Sequence, residues 1–319
     1  MFDWHGLSCR QASRRCYPRC FHRNYGAACR VRRSTAWKIA RNESETVNIL
    51  ERASVAIRHA PALERADWIW DRIRPAYDRV LAKVARGRGL ERVINGTDRF
   101  QLSALSRGFI AEEYEPSVWG RVMREVRLGD HVAEVGASMG LYAMAFAGRV
   151  GAAGHVTAFE PDPESVSALE ANVGVNGWRD RITVIRAAVG QSSGQVRFAA
   201  ARGLESRIET RPDACDGVIT VPMVTLDDAL AGQKIDVIKI DVEGFEQQVM
   251  LGAKTILTDE RRRPRAILVE VHPFAWAETG TTSASLLALL HEMSFRVEDM
   301  QGATVSSITD YGHIIAIAD

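Results

Sequence analysis

Residues 130–163 read DHVAEVGASMGLYAMAFAGRVGAAGHVTAFEPDP. His131–Val135 is a short apolar strand, a glycine-bearing turn closes it at Gly136–Gly140, a helical run occupies residues 140–149, and His155–Phe159 is a second short strand. Strand, tight turn, helix and strand within roughly thirty residues make the βαβ unit from which parallel sheets are wound.

The same rhythm continues outward. Further strands are expected at Ile182–Ala188, Asp236–Ile240 and Ala266–Val271, with helices near 163–175, 245–257 and 283–293. Phe295–Met300 and His313–Ala318 follow one another with no helical segment between them, so they are expected to pair antiparallel at one sheet edge. Val196–Ala199 and Val218–Val224 read as an additional strand pair around a polar loop at 201–217. The expected fold is α/β and Rossmann-like, with a mostly parallel seven-stranded sheet.

Upstream, Val93-Ile94 and Phe100-Gln101-Leu102 flank Asn95-Gly96, a turn dipeptide that predicts a hairpin within 91–106. A short helix is expected at Ser117–Val126, behind Pro116. From about Glu43 to Gly87, apolar residues including Trp68, Ile69, Ile73, Tyr77, Val80, Leu81 and Val84 recur at helical spacing. This N-terminal helical extension, with the hairpin, occupies 41–114, and the α/β body is assigned to 115–319.

The chain has 319 residues, 46% hydrophobic and 25% charged, with a formal net charge of +1. That near-neutrality is an average. Residues 1–40 carry eight Arg and one Lys against Asp3, leaving 32 bases and 39 acids beyond them, a net of −7. Four of the five cysteines, Cys9, Cys16, Cys20 and Cys29, also lie in this leader. They form no Cys-x-x-Cys knuckle, so the leader is read as a disordered extension without a zinc site. Further on, Asp241, Glu243 and His272 offer an alternative divalent-metal set, ranked below a metal-free reading, so no metal is assigned. No apolar run approaches the roughly 20 residues that span a bilayer. A body without a disulfide framework suits a cytoplasmic setting.

Chemistry gathers at the carboxyl ends of the strands. Glu134-Val135-Gly136-Ala137-Ser138-Met139-Gly140 lacks the middle glycine of a dinucleotide fingerprint, and Glu134 would repel a pyrophosphate while attracting an ammonium or sulfonium. Glu160, at the tip of the second strand, suits the two hydroxyls of a ribose. Asp162 and Pro163 are placed to cap and begin the next helix. Ile238-Lys239-Ile240-Asp241-Val242-Glu243-Gly244 brings Asp241 and Glu243 to the same crevice, and Glu270-Val271-His272-Pro273 delivers a histidine. Glu243 and Glu246 could equally serve the dipole of the helix that follows Gly244.

AEVGASMGLYA, TAFEPDPES, VTLDDAL, DVIKIDVEGFEQQVMLGA and ILVEVH, in this order, resemble the FkbM-type S-adenosylmethionine (SAM)-dependent methyltransferases over residues 115–319. The resemblance implies a class I methyltransferase fold and SAM as cofactor. It places the methionine part of the cofactor against Gly136, Ala137, Ser138 and Gly140, with Glu134, Tyr142 and Pro161 nearby. It also implies that Glu160 holds the ribose, that the adenine lies near Ala187 and Ala188, and that Asp241 lines the methyl-transfer pocket. Where the family usually has Asp and Asn, this chain has Glu134 and Ser138. The expected reaction is O-methylation of a hydroxyl on a sugar, glycolipid or secondary metabolite. Asp241 or His272 would act as base, and Glu243 would position the acceptor. Two other functions fit parts of the sequence: an NAD-dependent oxidoreductase on a similar sheet, and a nucleic-acid-binding protein using the Arg-rich leader. The missing glycine and Glu134 disfavour the first, and no nucleic-acid partner is expected.

Overall fold

A computed structural model of the chain describes residues 89–104, 106, 109–200, 206–210 and 217–319. The leader, the helices expected between 43 and 87, and much of the 201–217 loop lie outside the described residues. In chain order the strands are β1 (Leu90–Ile94), β2 (Asp98–Leu102), β3 (His131–Val135), β4 (His155–Phe159), β5 (Ile182–Ile185), β6 (Ala188–Val189), β7 (Gly194–Ala199), β8 (Arg207–Ile208), β9 (Val218–Val224), β10 (Val237–Ile240), β11 (Ala266–Val271), β12 (Phe295–Asp299) and β13 (Gly312–Ala318). The helices are α1 (Pro116–Glu125), α2 (Leu141–Val150), α3 (Pro163–Val175), α4 (Leu226–Ala229), α5 (Glu246–Leu251), α6 (Lys254–Thr258), α7 (Trp276–Thr279) and α8 (Ser283–Glu292), with a 3₁₀ turn at Pro273–Ala275.

Seven strands form the main sheet in the order β12-β13-β11-β10-β3-β4-β5. Pairings among β11, β10, β3, β4 and β5 are parallel, while β13 runs antiparallel between β11 and β12. The expected seven-stranded, mostly parallel α/β sheet is therefore present. From β3 the chain winds outward through β4 and β5, then returns to lay β10 on the other side of β3. That reversal opens a crevice at the carboxyl ends of the strands, where ligands of doubly wound sheets bind.

Strand alternation divides the core between the two faces. Val132, Val156, Val237, Leu268 and Ile315 pack with α2, Trp119 of α1 and the hairpin residues Ile94, Phe100 and Leu102. Ala133, Val135, Phe159, Ile238, Ile240, Ile267 and Ala316 face α5, α6 and α8. The hairpin thus shares the core of the sheet. Its turn contains Asn95 at φ 49° and Gly96 at φ 71°. The Asn95 side chain holds both the N–H and C=O of Tyr114, at 2.9 and 2.8 Å, which fixes that ring above the crevice.

Two expected elements divide. The strand expected at 182–188 ends at Ile185, because Ala187 N–H turns back to the Ile185 carbonyl at 3.0 Å and Ala188–Val189 pairs with β9 instead. β6, β9, β7 and β8 make a separate four-stranded sheet, so the expected β7–β9 pair gains two short partners. The helix expected at 245–257 breaks at Gly252-Ala253. Asp227, from α4, accepts from Thr255 N–H and Ile256 N–H at 2.8 Å each and so starts α6 afresh. Among the described residues, no helix is long and apolar enough to cross a membrane.

Candidate functional site

The glycine turn after β3 is built for close approach. Gly136 has φ 81°, and a Cβ there would lie 1.8 Å from the Asp241 carbonyl oxygen. Gly136 and Ala137 both donate to the Phe159 carbonyl at 3.0 Å, which ties the ends of β3 and β4 together. Ser138 adopts φ 48°, and its N–H donates to Glu160 Oε2 at 2.7 Å. Gly140, at φ 85°, leaves room for Leu169, whose Cδ1 would lie 2.2 Å from a Cβ. The buried Asn172 side chain locks the turn to the hairpin, donating to the Met139 carbonyl at 2.8 Å and accepting from Ser103 N–H at 2.7 Å.

Two buried carboxylates flank this turn. Glu134 is 1% exposed, and its Oε2 has no hydrogen-bond partner among the described residues. Burial, only partly offset by Lys239, pushes its carboxyl up to about 8. Glu160 accepts from Ser138 N–H and, at 2.8 Å, from Asp162 N–H. Burial outweighs those two donors and raises it to about 7. Each Glu160 oxygen retains a second lone pair toward the crevice. Asp162 caps α3 as expected, accepting from Ser165 N–H at 2.9 Å.

Parallel register sets Lys239 beside Glu134. The Lys239 ammonium is buried, lies 3.2 Å from Asp241 Oδ2 and sits 4.6 Å from the centre of the Tyr142 ring. Desolvation works against its charge, but Asp241, Glu270 and Glu134 hold it above the ordinary lysine value. Asp241 is partly buried, and burial raises its carboxyl despite Lys239.

Beyond Asp241 the chain makes a strained turn, with Glu243 at φ 53° and Gly244 at φ 103°. It thereby delivers Glu246, fully buried, to His272. Glu246 Oε1 accepts from His272 Nδ1 at 2.7 Å and from Gly244 N–H at 2.9 Å, while Oε2 accepts from Trp276 Nε1 at 2.8 Å. On the other side of the ring, His272 Nε2 faces Glu243 Oε2 at 3.4 Å and Glu270 Oε1 at 3.9 Å. Burial disfavours its charge, but Glu246 and Glu243 raise it to about 9. Glu270 in turn accepts from the Tyr311 hydroxyl and lies 3.3 Å from His313 Nε2.

The cleft that results is lined by Glu134, Glu160, Pro161, Asp241 and Glu243, and by every residue of the turn from Gly136 to Met139. Tyr114, Tyr142, Ala187, Ala188, Phe198 and Arg207 close its sides. All the expected cofactor positions except Gly140 line it directly; Gly140 supports the turn from behind. His272 stands at its edge through Glu243. Asp241, Glu243 and His272 bring ligand atoms within 4.8 Å of one another, as do Glu115, Glu270 and His313, so either set could span a divalent ion.

Glu246, Glu270 and Tyr114 carry structural weight that their local sequence did not reveal. Glu246 matches a helix-dipole pattern but is a buried brace. The one local signal was Lys239, a charge in the middle of an otherwise apolar strand.

Comparison with known proteins gives the chemistry a family. A hexuronic acid methyltransferase from Haloferax volcanii is 25% identical over 195 residues, covering 58% of this chain and 71% of that protein. Among solved structures, an FkbM methyltransferase from Methylobacillus flagellatus aligns with 15% identity and a TM-score of 0.40, covering 60% of this chain and 44% of that one. A SAM-dependent O-methyltransferase from Thermotoga maritima aligns with 15% identity and a TM-score of 0.39, covering 66% of each chain. The chain therefore spans less than two thirds of the length of either solved protein. The FkbM methyltransferase domain model matches residues 130–297, more than half of the sequence and a span that includes Glu134, Glu160, Asp241, Glu243 and His272, and the chain belongs to the FkbM methyltransferase family.

Proposed function

We propose that the chain uses S-adenosylmethionine to methylate a hydroxyl group on a sugar or glycolipid. The observation that carries this reading is Glu134: a buried carboxylate with an oxygen lacking a partner among the described residues, beside a turn whose backbone only glycine permits. Such a group suits a cationic ligand and opposes a pyrophosphate. The residues therefore fit the cofactor. Gly136, Ala137, Ser138 and Tyr142 would pack its methionine part, Glu134 would meet its positive charge, Glu160 and Pro161 its ribose, and the small Ala187 and Ala188 its adenine. The bound cofactor would supply an electrophilic methyl group.

The remaining work belongs to side chains at the crevice edge. In-line transfer needs an aligned acceptor, a dry pocket and a group that takes the hydroxyl proton. Asp241 is the better base of the two expected candidates. Both nitrogens of His272 face carboxylates, so both carry protons and neither offers a lone pair. His272 instead fixes Glu243, which would position the acceptor. Lys239 stabilises the ionised Asp241 from beneath. Sugar as acceptor draws support from the name of the Haloferax relative.

Incubation with methyl-labelled SAM and cell-envelope extract, followed by mass spectrometry, tests the reading. It predicts labelled methyl ethers on a glycan or glycolipid. Label confined to protein or nucleic acid would refute it.

A further inference from the structure

Four large apolar side chains are conspicuously exposed among the described residues: Phe109 at 44%, Leu128 at 79%, Phe274 at 67% and Tyr311 at 54%. Leu128 precedes β3 and lies at the amino end of the sheet. The three aromatic residues lie at the other end, with Phe274 and Tyr311 against His272 at the cleft's edge. Phe109 lines the cleft itself. Phe274 lies two residues after His272, on the 3₁₀ turn after β11, and Tyr311 precedes Gly312, which pairs with Val271 at the end of the same strand.

Their rings bracket one imidazole. The His272 ring centre lies 5.7 Å from that of Phe274, nearly perpendicular to it, and 5.4 Å from that of Tyr311. Between and behind them stand hydrogen-bond acceptors: Glu243 beside His272, Glu270 under the Tyr311 hydroxyl, and Glu115 across from His313. Exposed aromatic surface costs free energy unless something covers it. A lipid chain would cover the rings but would strip water from these carboxylates and add no donor to those that already face them from His272, Tyr311 and His313. A pyranose satisfies both demands, because one ring face presents C–H groups to an aromatic surface while the rim presents hydroxyls that donate to carboxylates.

We infer that Phe274 and Tyr311 form the acceptor platform, on which a sugar ring rests with a hydroxyl directed toward Asp241. This rests on the methyl-transfer reading above and names the residues that would make the enzyme select carbohydrate. It assigns the two aromatic residues a positioning role, with no part in the transfer itself.

The test uses the full chain with S-adenosylhomocysteine bound, and methyl glycosides of mannose, rhamnose, fucose and glucuronic acid as probes. Saturation-transfer NMR reads sugar binding, and calorimetry reads the cofactor in parallel. At least one glycoside is expected to bind. Phe274→Ala and Tyr311→Ala should each weaken it roughly tenfold. Phe274→Tyr and Tyr311→Phe, which keep the rings, should restore it, and cofactor affinity should stay within twofold throughout. Glycoside binding unaffected by both alanine variants, or no glycoside bound by a protein that binds the cofactor, would overturn the platform. Sedimentation with vesicles of phosphatidylcholine and phosphatidylglycerol that depends on the two rings would overturn it in favour of a membrane face. Failure of the cofactor to bind would instead count against the methyl-transfer reading itself.

Discussion

His272 Nδ1 donates to Glu246 Oε1 at 2.7 Å across a gap of 26 residues, and both side chains are buried. The contact joins the end of β11 to the start of α5, at the edge of the cleft. Glu246 also holds Gly244 N–H and Trp276 Nε1. One carboxylate thus fixes the strained turn that aims Glu243, the ring that faces Glu243, and the helix behind both.

Removing that carboxylate should be costly. Glu246→Ala strands a buried imidazolium, a backbone N–H and an indole N–H, with an expected loss of about 3–5 kcal/mol. Urea unfolding checks this. A variant within about 1 kcal/mol of the parent would mean that the brace is dispensable.

The His272 proton makes stability depend on pH in a defined direction. Its folded value of about 9 lies above the ordinary 6.5, so the native state holds the proton more tightly than the unfolded chain. The resulting stabilisation is complete below about pH 6.5 and disappears as pH rises through about 9. Glu243, Glu246, Glu270, Asp241 and Tyr311 are the groups facing the ring. Chemical denaturation from pH 6 to 10 should show a decline that His272→Gln largely removes.

Glu134 gives cofactor binding the opposite slope. Its carboxyl stands at about 8 against an ordinary 4.5, and a cationic ligand favours the ionised form. SAM affinity should therefore rise with pH and level off above about pH 8. In the absence of ligand, the same buried acid makes the fold less stable over that range. Glu134→Gln should weaken binding and leave only the shallower dependence contributed by Glu160, which stands at about 7. A pH series of calorimetric titrations on both proteins checks the direction.

Turnover should survive chelation. The Lys239 ammonium already lies 3.2 Å from Asp241 Oδ2, so a divalent ion at Asp241, Glu243 and His272 would meet a fixed positive charge. Activity should be unchanged after EDTA treatment and desalting. A loss restored by magnesium or manganese would show that a metal takes part.

The main sheet was readable from the sequence because its strands are short apolar runs closed by turn residues, and side chains at strand tips share one edge regardless of packing detail. Glu134, Glu160, Asp241 and His272 could be placed from that rule alone. Contacts that depend on distant partners could not. Glu246 looks like a first-turn helix acid until His272 and Trp276 arrive from 26 and 30 residues away. The break at Gly252 was equally hidden, since it depends on Asp227 reaching across to cap α6 and on Gly190, whose carbonyl oxygen would lie 2.0 Å from a Cβ on Gly252.

The most direct test of the central claim is calorimetric titration of the full chain, and of Glu160→Ala, with SAM and with NAD. The account predicts one SAM site in the parent, an affinity at least tenfold weaker in Glu160→Ala, and no NAD binding. A folded parent that ignores SAM, or that prefers NAD, would contradict it.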